Sequence, residues 1–119
     1  MALFTSLPVY KLGYDLLIDI HKITKSFTRE HKYTLGEKLK EESLQLLIHI
    51  YKANKNKKTK RIDAIARTRE HLEMLRLLWR ISKDLQIIGG KAYIKLNIHI
   101  EELSKQLTAW QKYTARASA

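Results

Sequence analysis

The chain has 119 residues and no cysteine, and its 23 Lys and Arg against 12 Asp and Glu give a formal net charge of +11 at pH 7. This length supports one hydrophobic core, so we expect a single domain over residues 1–119, and the lack of cysteine excludes disulfides and thiolate metal sites. The composition, 45% hydrophobic and 29% charged, argues against a membrane protein or a disordered chain, while the positive charge makes nucleic acid, an acidic protein or an anionic membrane surface the expected partner.

The first half of the chain predicts two amphipathic helices. The first, over about 8–27, starts with a proline, which suits a first helical turn, and carries apolar residues at spacings of three and four. After the polar break TREHKY, the second is expected over about 34–54, because Thr34 precedes Glu37 at the spacing of a capping box. It ends in the Lys-rich connection KANKNKKTKR, residues 52–61.

The second half predicts two longer helices. The third is expected over about 60–86 and the fourth over about 91–113, with Gly89 and Gly90 between them as a C-terminal stop signal. No segment sustains the alternation of apolar and polar residues that marks a β-strand. Four helices with short connections, each with an apolar stripe, predict an all-α fold, an up-down-up-down four-helix bundle.

The third helix carries more apolar surface than contacts within one bundle need. At roughly 100° per residue, eight large apolar side chains spread over about 220°, about twice the stripe of a surface helix. They are Leu72, Met74, Leu75, Leu77, Leu78, Trp79, Ile81 and Leu85. We therefore expect a homo-oligomer with Leu75, Leu78 and Trp79 in its interface. The alternative is a helix buried deeply among its own neighbours.

The remaining arc of this helix is basic and holds Arg69, Arg76, Arg80 and Lys83, with Glu73 among them. Residues 52–80 contain ten basic and three acidic side chains, net +7, which leaves +4 for the other residues. Arg76 and Arg80 have few acidic side chains on the same face to pair with, and guanidinium groups suit bidentate binding of phosphate or carboxylate. A solvated stripe with pairing to Glu73 is the alternative.

The Lys-rich connection is too polar to enter a core and is first of all a linker. Beside the arginine stripe, however, it extends one basic surface. We expect diffuse, salt-sensitive attraction to a polyanion from Lys55, Lys57, Lys58, Lys60 and Arg61. Geometric recognition is expected at Arg76 and Arg80.

Motifs of catalysis, metal binding and nucleotide binding are missing. The five histidines lack HExxH and Glu-x-x-His spacings, no GxxxxGK[ST] or GxGxxG loop is present, and the adjacent acids Glu41 and Glu42 point to different sides of their helix. We expect no enzymatic activity, no metal and no cofactor. Since no stretch approaches the roughly 18 apolar residues of a membrane helix and no signal peptide is recognisable, we expect a cytoplasmic protein.

Three stretches resemble the accessory variability protein (Avd) family of diversity-generating retroelements and, more loosely, the four-helix proteins encoded in ribosomal-RNA intervening sequences. They are YTLGEKLKEESLQLL, LEMLRLLWRISKDL and ELSKQLTAWQK, and the resemblance covers nearly the whole chain. Its most specific part is the third-helix run in which Leu75 and Arg76 are followed by aliphatic and aromatic residues and then by Arg80. The chain departs from the family at Ser104 and Thr108, where glycine is usual.

The resemblance implies a ring-shaped, basic homopentamer of four-helix protomers. It would be an accessory factor without catalysis that binds the element's reverse transcriptase and RNA or DNA during mutagenic copying. The family's arginine pair on the third helix maps onto Arg76 and Arg80. The alternative is a structural or protein-interaction bundle of the intervening-sequence type without a reverse-transcriptase partner. Peripheral membrane binding is disfavoured, because the basic stretch lacks Trp or Phe anchors.

Overall fold

The chain forms only helices and their connections over the residues that the structure describes. The computed structural model describes residues 7–117, without the side chains of Lys58 and Ala117. Its helices are α1 (Pro8–Thr24), α2 (Arg29–Lys32), α3 (Leu35–Lys55), α4 (Lys58–Asp84) and α5 (Gly90–Ala117). The all-α prediction with four long helices is confirmed. The single turn α2 is an addition, because it occupies the segment that we expected to be a polar break.

The four long helices lie side by side in a bundle 49 Å long and 21 Å across. α3 packs between α1 and α4, and α5 packs between α4 and α1. His71 of α4 contacts Glu42 near the start of α3, whereas Arg61, earlier in α4, contacts Ala53 near the end of α3. These two helices are therefore antiparallel, and the contacts of α4 with α5 reverse direction in the same way.

The main core runs along the bundle and takes about one residue from each turn of the long helices. Its fully buried side chains include Leu16, Ile20, Leu39, Leu46, Ile50, Leu72, Leu75, Trp79, Ile100, Leu103 and Leu107. Burying each of them stabilises the fold by about 1.5–3 kcal/mol. The largest, Trp79, also satisfies its polar atom, because its Nε1 donates a hydrogen bond of 3.0 Å to the carbonyl oxygen of Tyr93.

The three residues that we expected at an oligomer interface belong to this core. Leu75 is 0% exposed, Trp79 is 1% exposed and Leu78 is 7% exposed. The reason is that α4 has α3 on one side and α5 on the other, so its inward face is wider than the stripe of a surface helix. Their assignment to an interface is wrong, and for these three residues the deeply buried helix is the correct interpretation.

The start of α3 differs from the predicted capping box. Thr34 precedes the helix, but its side chain makes no hydrogen bond to an amide of the first turn. Its Oγ1 donates instead to the carbonyl oxygen of Glu30 at 3.2 Å, because α2 places free carbonyl groups within reach just before it. The capping-box prediction is therefore wrong, although the helix begins where that spacing indicated.

The end of α4 also differs from the prediction, because the helix stops at Asp84, before the glycine pair. Gln86 has a φ of 61°, and the amides of Gln86 and Ile87 donate to the carbonyl oxygens of Lys83 and Ser82, both at 2.9 Å. This is the Schellman arrangement, in which glycine usually takes the left-handed position. Here a glutamine takes it, so the prediction that the glycines end α4 is wrong.

Candidate nucleic-acid interface

The Lys-rich connection is almost entirely helical. α3 continues through Lys55 and α4 begins at Lys58, so that only Asn56 and Lys57 lie between them. The side chains of Lys55, Lys57 and Lys60 are exposed, while the side chain of Lys58 lies outside the described part of the chain. The connection is therefore a tight turn with lysines on the two helix ends that meet there.

Arg61 differs from these lysines because its side chain holds the turn together. Its Nε donates to the carbonyl oxygen of Ala53 at 2.9 Å, and its Nη2 donates to that of Asn54 at 3.0 Å. The guanidinium thus satisfies carbonyl groups at the C-terminus of α3, where the helix dipole favours a cation. Its Cζ also lies 5.9 Å from the ring centroid of Trp110, within cation–π range. Arg61 is fixed in a structural role that the sequence did not reveal.

The fold gathers the positive charge at one end of the bundle. Arg61 and Trp110 place the end of α5 beside the connection, and a Cβ atom added to Gly13 would lie 3.0 Å from Ile50 Cδ1, which places the start of α1 there as well. Taking the contact between Arg69 and Thr108 as the boundary, we define the basic half as residues 8–16, 44–69 and 108–117, and the mixed-charge half as residues 17–43 and 70–107.

The two halves differ strongly in net charge. The basic half holds eleven Lys and Arg against two acids, net +9, whereas the mixed-charge half holds twelve against ten, net +2. Sequence reasoning assigned no binding role to five exposed contributors, which are Lys11 on α1, Lys52 on α3, Arg67 on α4, and Lys112 and Arg116 on α5. The antiparallel order of the predicted helices was the signal that could have found the two on α5, because it places the end of α5 beside the start of α4.

Arg76 and Arg80, in the mixed-charge half, are both bound to carboxylates. Arg76 contacts Glu73 on its own helix and Glu101 on α5, with Nε 3.0 Å and Nη2 2.8 Å from the same Oε2. Partial burial lowers the pKa of Arg76, but the hydrogen bonds and charges of the two glutamates outweigh it and raise that pKa. The expectation that few acidic side chains pair with these arginines is therefore wrong.

Arg80 is paired within its own helix. Its Nε lies 3.2 Å from both carboxylate oxygens of Asp84, and this hydrogen bond is the main reason that the pKa of Arg80 is raised. The side chain remains 60% exposed. A phosphate or carboxylate that binds Arg80 therefore has to compete with an acid that is already in place.

The other two members of the basic arc also have partners. Arg69 Nη1 donates to Thr108 Oγ1 at 2.6 Å and to Gln111 Oε1 at 3.3 Å, which ties α4 to α5. Thr108 thus uses, as an acceptor, a hydroxyl that the glycine expected from the resemblance would lack. Lys83 Nζ lies 4.9 Å from the ring centroid of Tyr93. The arc seen in the sequence is therefore mainly a contact zone between α4 and α5.

The comparisons with known proteins agree with this architecture. The profile of the family described as bAvd-like matches residues 9–114. The chain belongs to the bAvd-like family. Membership indicates an accessory protein of the Avd type.

A solved structure shares the fold of this bAvd-like chain. It is the crystal structure of a protein of unknown function from the S23 ribosomal protein family of Bacteroides thetaiotaomicron, with a TM-score of 0.81 and 14% sequence identity. The alignment covers 87% of this chain and 95% of that one. No curated protein sequence matches the chain.

The bAvd-like chain also leaves part of α4 exposed and apolar. Met74 is 44% exposed, Leu77 54% and Leu85 56%, and Ile81, between them, is half-buried. Spacings of three and four residues place Met74, Leu77 and Ile81 on one face of α4, and Leu85 follows at the same spacing just past the end of the helix. We call these four side chains the outer stripe. The helix therefore has apolar surface beyond the needs of its own bundle, but the residues differ from those we expected.

Within residues 7–117 no group of three His, Asp or Glu side chains is arranged to hold a metal ion. None of the described helices combines the length and the apolar character needed to cross a bilayer. The buried hydroxyls of Ser43, Thr68 and Ser82 each donate to a carbonyl oxygen of their own helix, which is the usual arrangement of a structural hydroxyl.

Proposed function

We propose that the chain is a non-catalytic accessory protein that binds nucleic acid and a reverse transcriptase in the cytoplasm, during mutagenic retrohoming of a diversity-generating retroelement. The observation that carries the nucleic-acid part is the charge separation, +9 in the basic half against +2 elsewhere. Exposed lysines neutralise phosphates without reading bases. Binding of RNA or DNA should therefore show little sequence preference.

The mixed-charge half suits protein partners. Protein interfaces combine an apolar centre with arginine and few unpaired charges, and α4 offers the outer stripe on one arc and the paired Arg76 and Arg80 on the next. In this proposal the reverse transcriptase binds across the two arginines, whose acidic partners exchange with carboxylates of the polymerase. The outer stripe joins copies of the chain into a homo-oligomer, a pentamer according to the resemblance, through Met74, Leu77 and Leu85.

A salt titration tests the nucleic-acid role. The affinity of the protein for an RNA and a DNA of arbitrary sequence is measured between about 50 and 200 mM salt, where counterion release makes binding fall steeply. A triple change of Lys52, Lys57 and Lys60 to Gln should lower the slope of log K against log salt by about 0.7–0.9 for each phosphate that the variant no longer neutralises. No binding at physiological salt would refute the role itself.

The matched control removes the same charge from the mixed-charge half. Lys22, Lys38 and Lys95 are also exposed, and their change to Gln should leave the slope nearly unchanged. If the salt dependence of binding falls equally in both triple variants, the basic half is not the binding surface. Only the total charge of the protein would then determine the affinity.

A second candidate is a structural or protein-interaction bundle of the intervening-sequence type without a reverse-transcriptase partner. The observation that favours it is that Arg76 and Arg80 are already bound to Glu73, Glu101 and Asp84. In that case copurification with the reverse transcriptase of the same locus should fail, and changing both arginines to Ala should affect no partner binding.

A further inference from the structure

Tyrosine rings are exposed around the basic half. Tyr14 on α1 is 44% exposed, Tyr51 on α3 is 49% exposed and Tyr113 on α5 is 67% exposed. Each of these side chains is partly covered within the protomer and presents the rest of its surface to water. The three rings come from three different helices of the basic half, although they are far apart in the sequence.

Each of these rings lies in a short stretch that also carries an exposed lysine. Lys11 is one helical turn before Tyr14, Lys52 follows Tyr51, and Lys112 precedes Tyr113, and all three lysines are exposed. Each ring of the basic half is thus accompanied by an exposed lysine nearby in the sequence. The outer stripe, by contrast, is aliphatic and contains no aromatic ring.

Two of the rings stand on a closely packed pair of helices. α1 and α3 approach at Gly13, where a Cβ atom would lie 3.0 Å from Ile50 Cδ1 and 3.3 Å from Leu47 Cδ1. Tyr14 follows Gly13 directly and Tyr51 follows Ile50 directly, so the same contact positions the backbone of both tyrosines. The centroid of the Tyr14 ring also lies 5.7 Å from that of Tyr10. The rings are therefore carried by rigid helices rather than by loops.

We propose that the basic half binds single-stranded nucleic acid and that Tyr14, Tyr51 and Tyr113 stack against unpaired bases. This inference rests on the proposed nucleic-acid function and adds the class of ligand. Single-strand-binding surfaces combine a positive track for the phosphates with aromatic side chains for the bases, whereas a duplex hides the faces of its bases. Lysines alone would bind the phosphates of a duplex equally well, so the exposed rings are the feature that favours a single strand.

The test compares three ligands with nearly the same number of phosphates. They are a single strand of about 16 nucleotides, the upper site size of a small single-strand-binding fold, an abasic strand of that length, and a blunt duplex with half as many base pairs. With the wild-type protein at one salt concentration, the single strand should bind at least about fivefold more tightly than the abasic strand, the lower end of the stacking range for one base.

The ring variants then locate the stacking. The double variant Tyr14→Leu and Tyr113→Leu keeps apolar bulk but removes two aromatic faces, so its affinity for the single strand should fall by at least about fivefold for each ring. Its affinity for the abasic strand and its salt slope should not change. Tyr33→Leu is the control, because Tyr33 is 65% exposed in the mixed-charge half and should change nothing. Circular dichroism and sedimentation of each variant report folding and oligomeric mass.

The possible outcomes separate the two proposals. Equal affinity of the wild-type protein for the single strand and the abasic strand overturns base stacking but leaves nucleic-acid binding intact, and it does not depend on any variant folding. No binding of any ligand overturns the proposed function as well. A lower oligomeric mass of the double variant, with full binding by the remaining protomers, shows that the tyrosines cover a contact between copies and overturns the inference.

Discussion

Leu75 and Leu77 are two positions apart on α4, and substituting each by Ala separates core packing from association. Leu75 is 0% exposed and Leu77 is 54% exposed. Truncating a fully buried leucine removes its transfer free energy and leaves a cavity, so Leu75→Ala should lower the free energy of unfolding by about 2–5 kcal/mol. For a domain with about 5–15 kcal/mol in total, this is a large fraction of the stability.

Leu77→Ala should behave differently, because the side chain contacts mainly water within the protomer. Its effect on the stability of the isolated protomer should stay within about 0.5 kcal/mol. If the outer stripe joins copies of the chain, however, the variant should lose mass in light scattering at micromolar concentration. Its apparent stability should also lose the concentration dependence that association gives the wild-type protein.

Urea denaturation followed by circular dichroism measures the first effect, and light scattering measures the second. At a typical slope of about 1–3 kcal/mol per molar urea, the Leu75→Ala midpoint should fall by about 1 M or more. The reasoning is refuted if Leu75→Ala leaves the midpoint unchanged and lowers the oligomeric mass, since Leu75 would then lie between copies. A monomeric wild-type protein would refute only the role of the outer stripe.

Three further predictions concern helix ends and ion pairs. Gln86→Gly should stabilise the fold by about 0.5–1 kcal/mol, because the strain that glycine relieves at the left-handed φ is larger than the additional chain entropy that glycine loses on folding. A lower melting temperature would contradict this. Arg61→Met should cost about 1–2 kcal/mol by removing two hydrogen bonds to the end of α3, while Lys60→Met should stay within about 0.5 kcal/mol. A double-mutant cycle on Arg76 and Glu101 should give a coupling of about 0.5 kcal/mol. Because the pKa of Arg76 is raised, the stabilisation from its charge is fully present below the ordinary pKa of arginine and is lost only above the raised pKa. The coupling should therefore be equal at about pH 6 and about pH 9. A fall in the coupling over this range would contradict the assignment of the ion pair.

The sequence predicted the local elements well, because helix periodicity is a property of each segment. The missing β alternation and the few glycines and prolines were sufficient for the all-α class and for four long helices. The residues at which helices end were predicted less well. At Gln86, tertiary packing of Ile87 against the core accompanies a left-handed turn that residue preferences alone would assign to glycine.

The candidate site was only partly visible in the sequence. The Lys-rich connection and the excess apolar surface of α4 could both be read directly, but which apolar residues remain exposed could not. An angular stripe on one helix does not show how many neighbours cover it, and α4 has two. For the same reason the sequence did not show that Glu101 of α5 pairs with Arg76. This ion pair contradicts the interpretation of Arg76 as an arginine with few acidic partners.

By itself, then, the sequence determined the fold class, the total charge and the amphipathic face of each helix, because these depend on composition and on spacings of three and four residues. Only the tertiary structure decided where the charge lies, because antiparallel packing brings the ends of α3 and α5 beside the starts of α1 and α4. This packing places nine of the eleven net charges in one half of the bundle. It also brings Tyr14, Tyr51 and Tyr113 to the same end, which no local pattern could show.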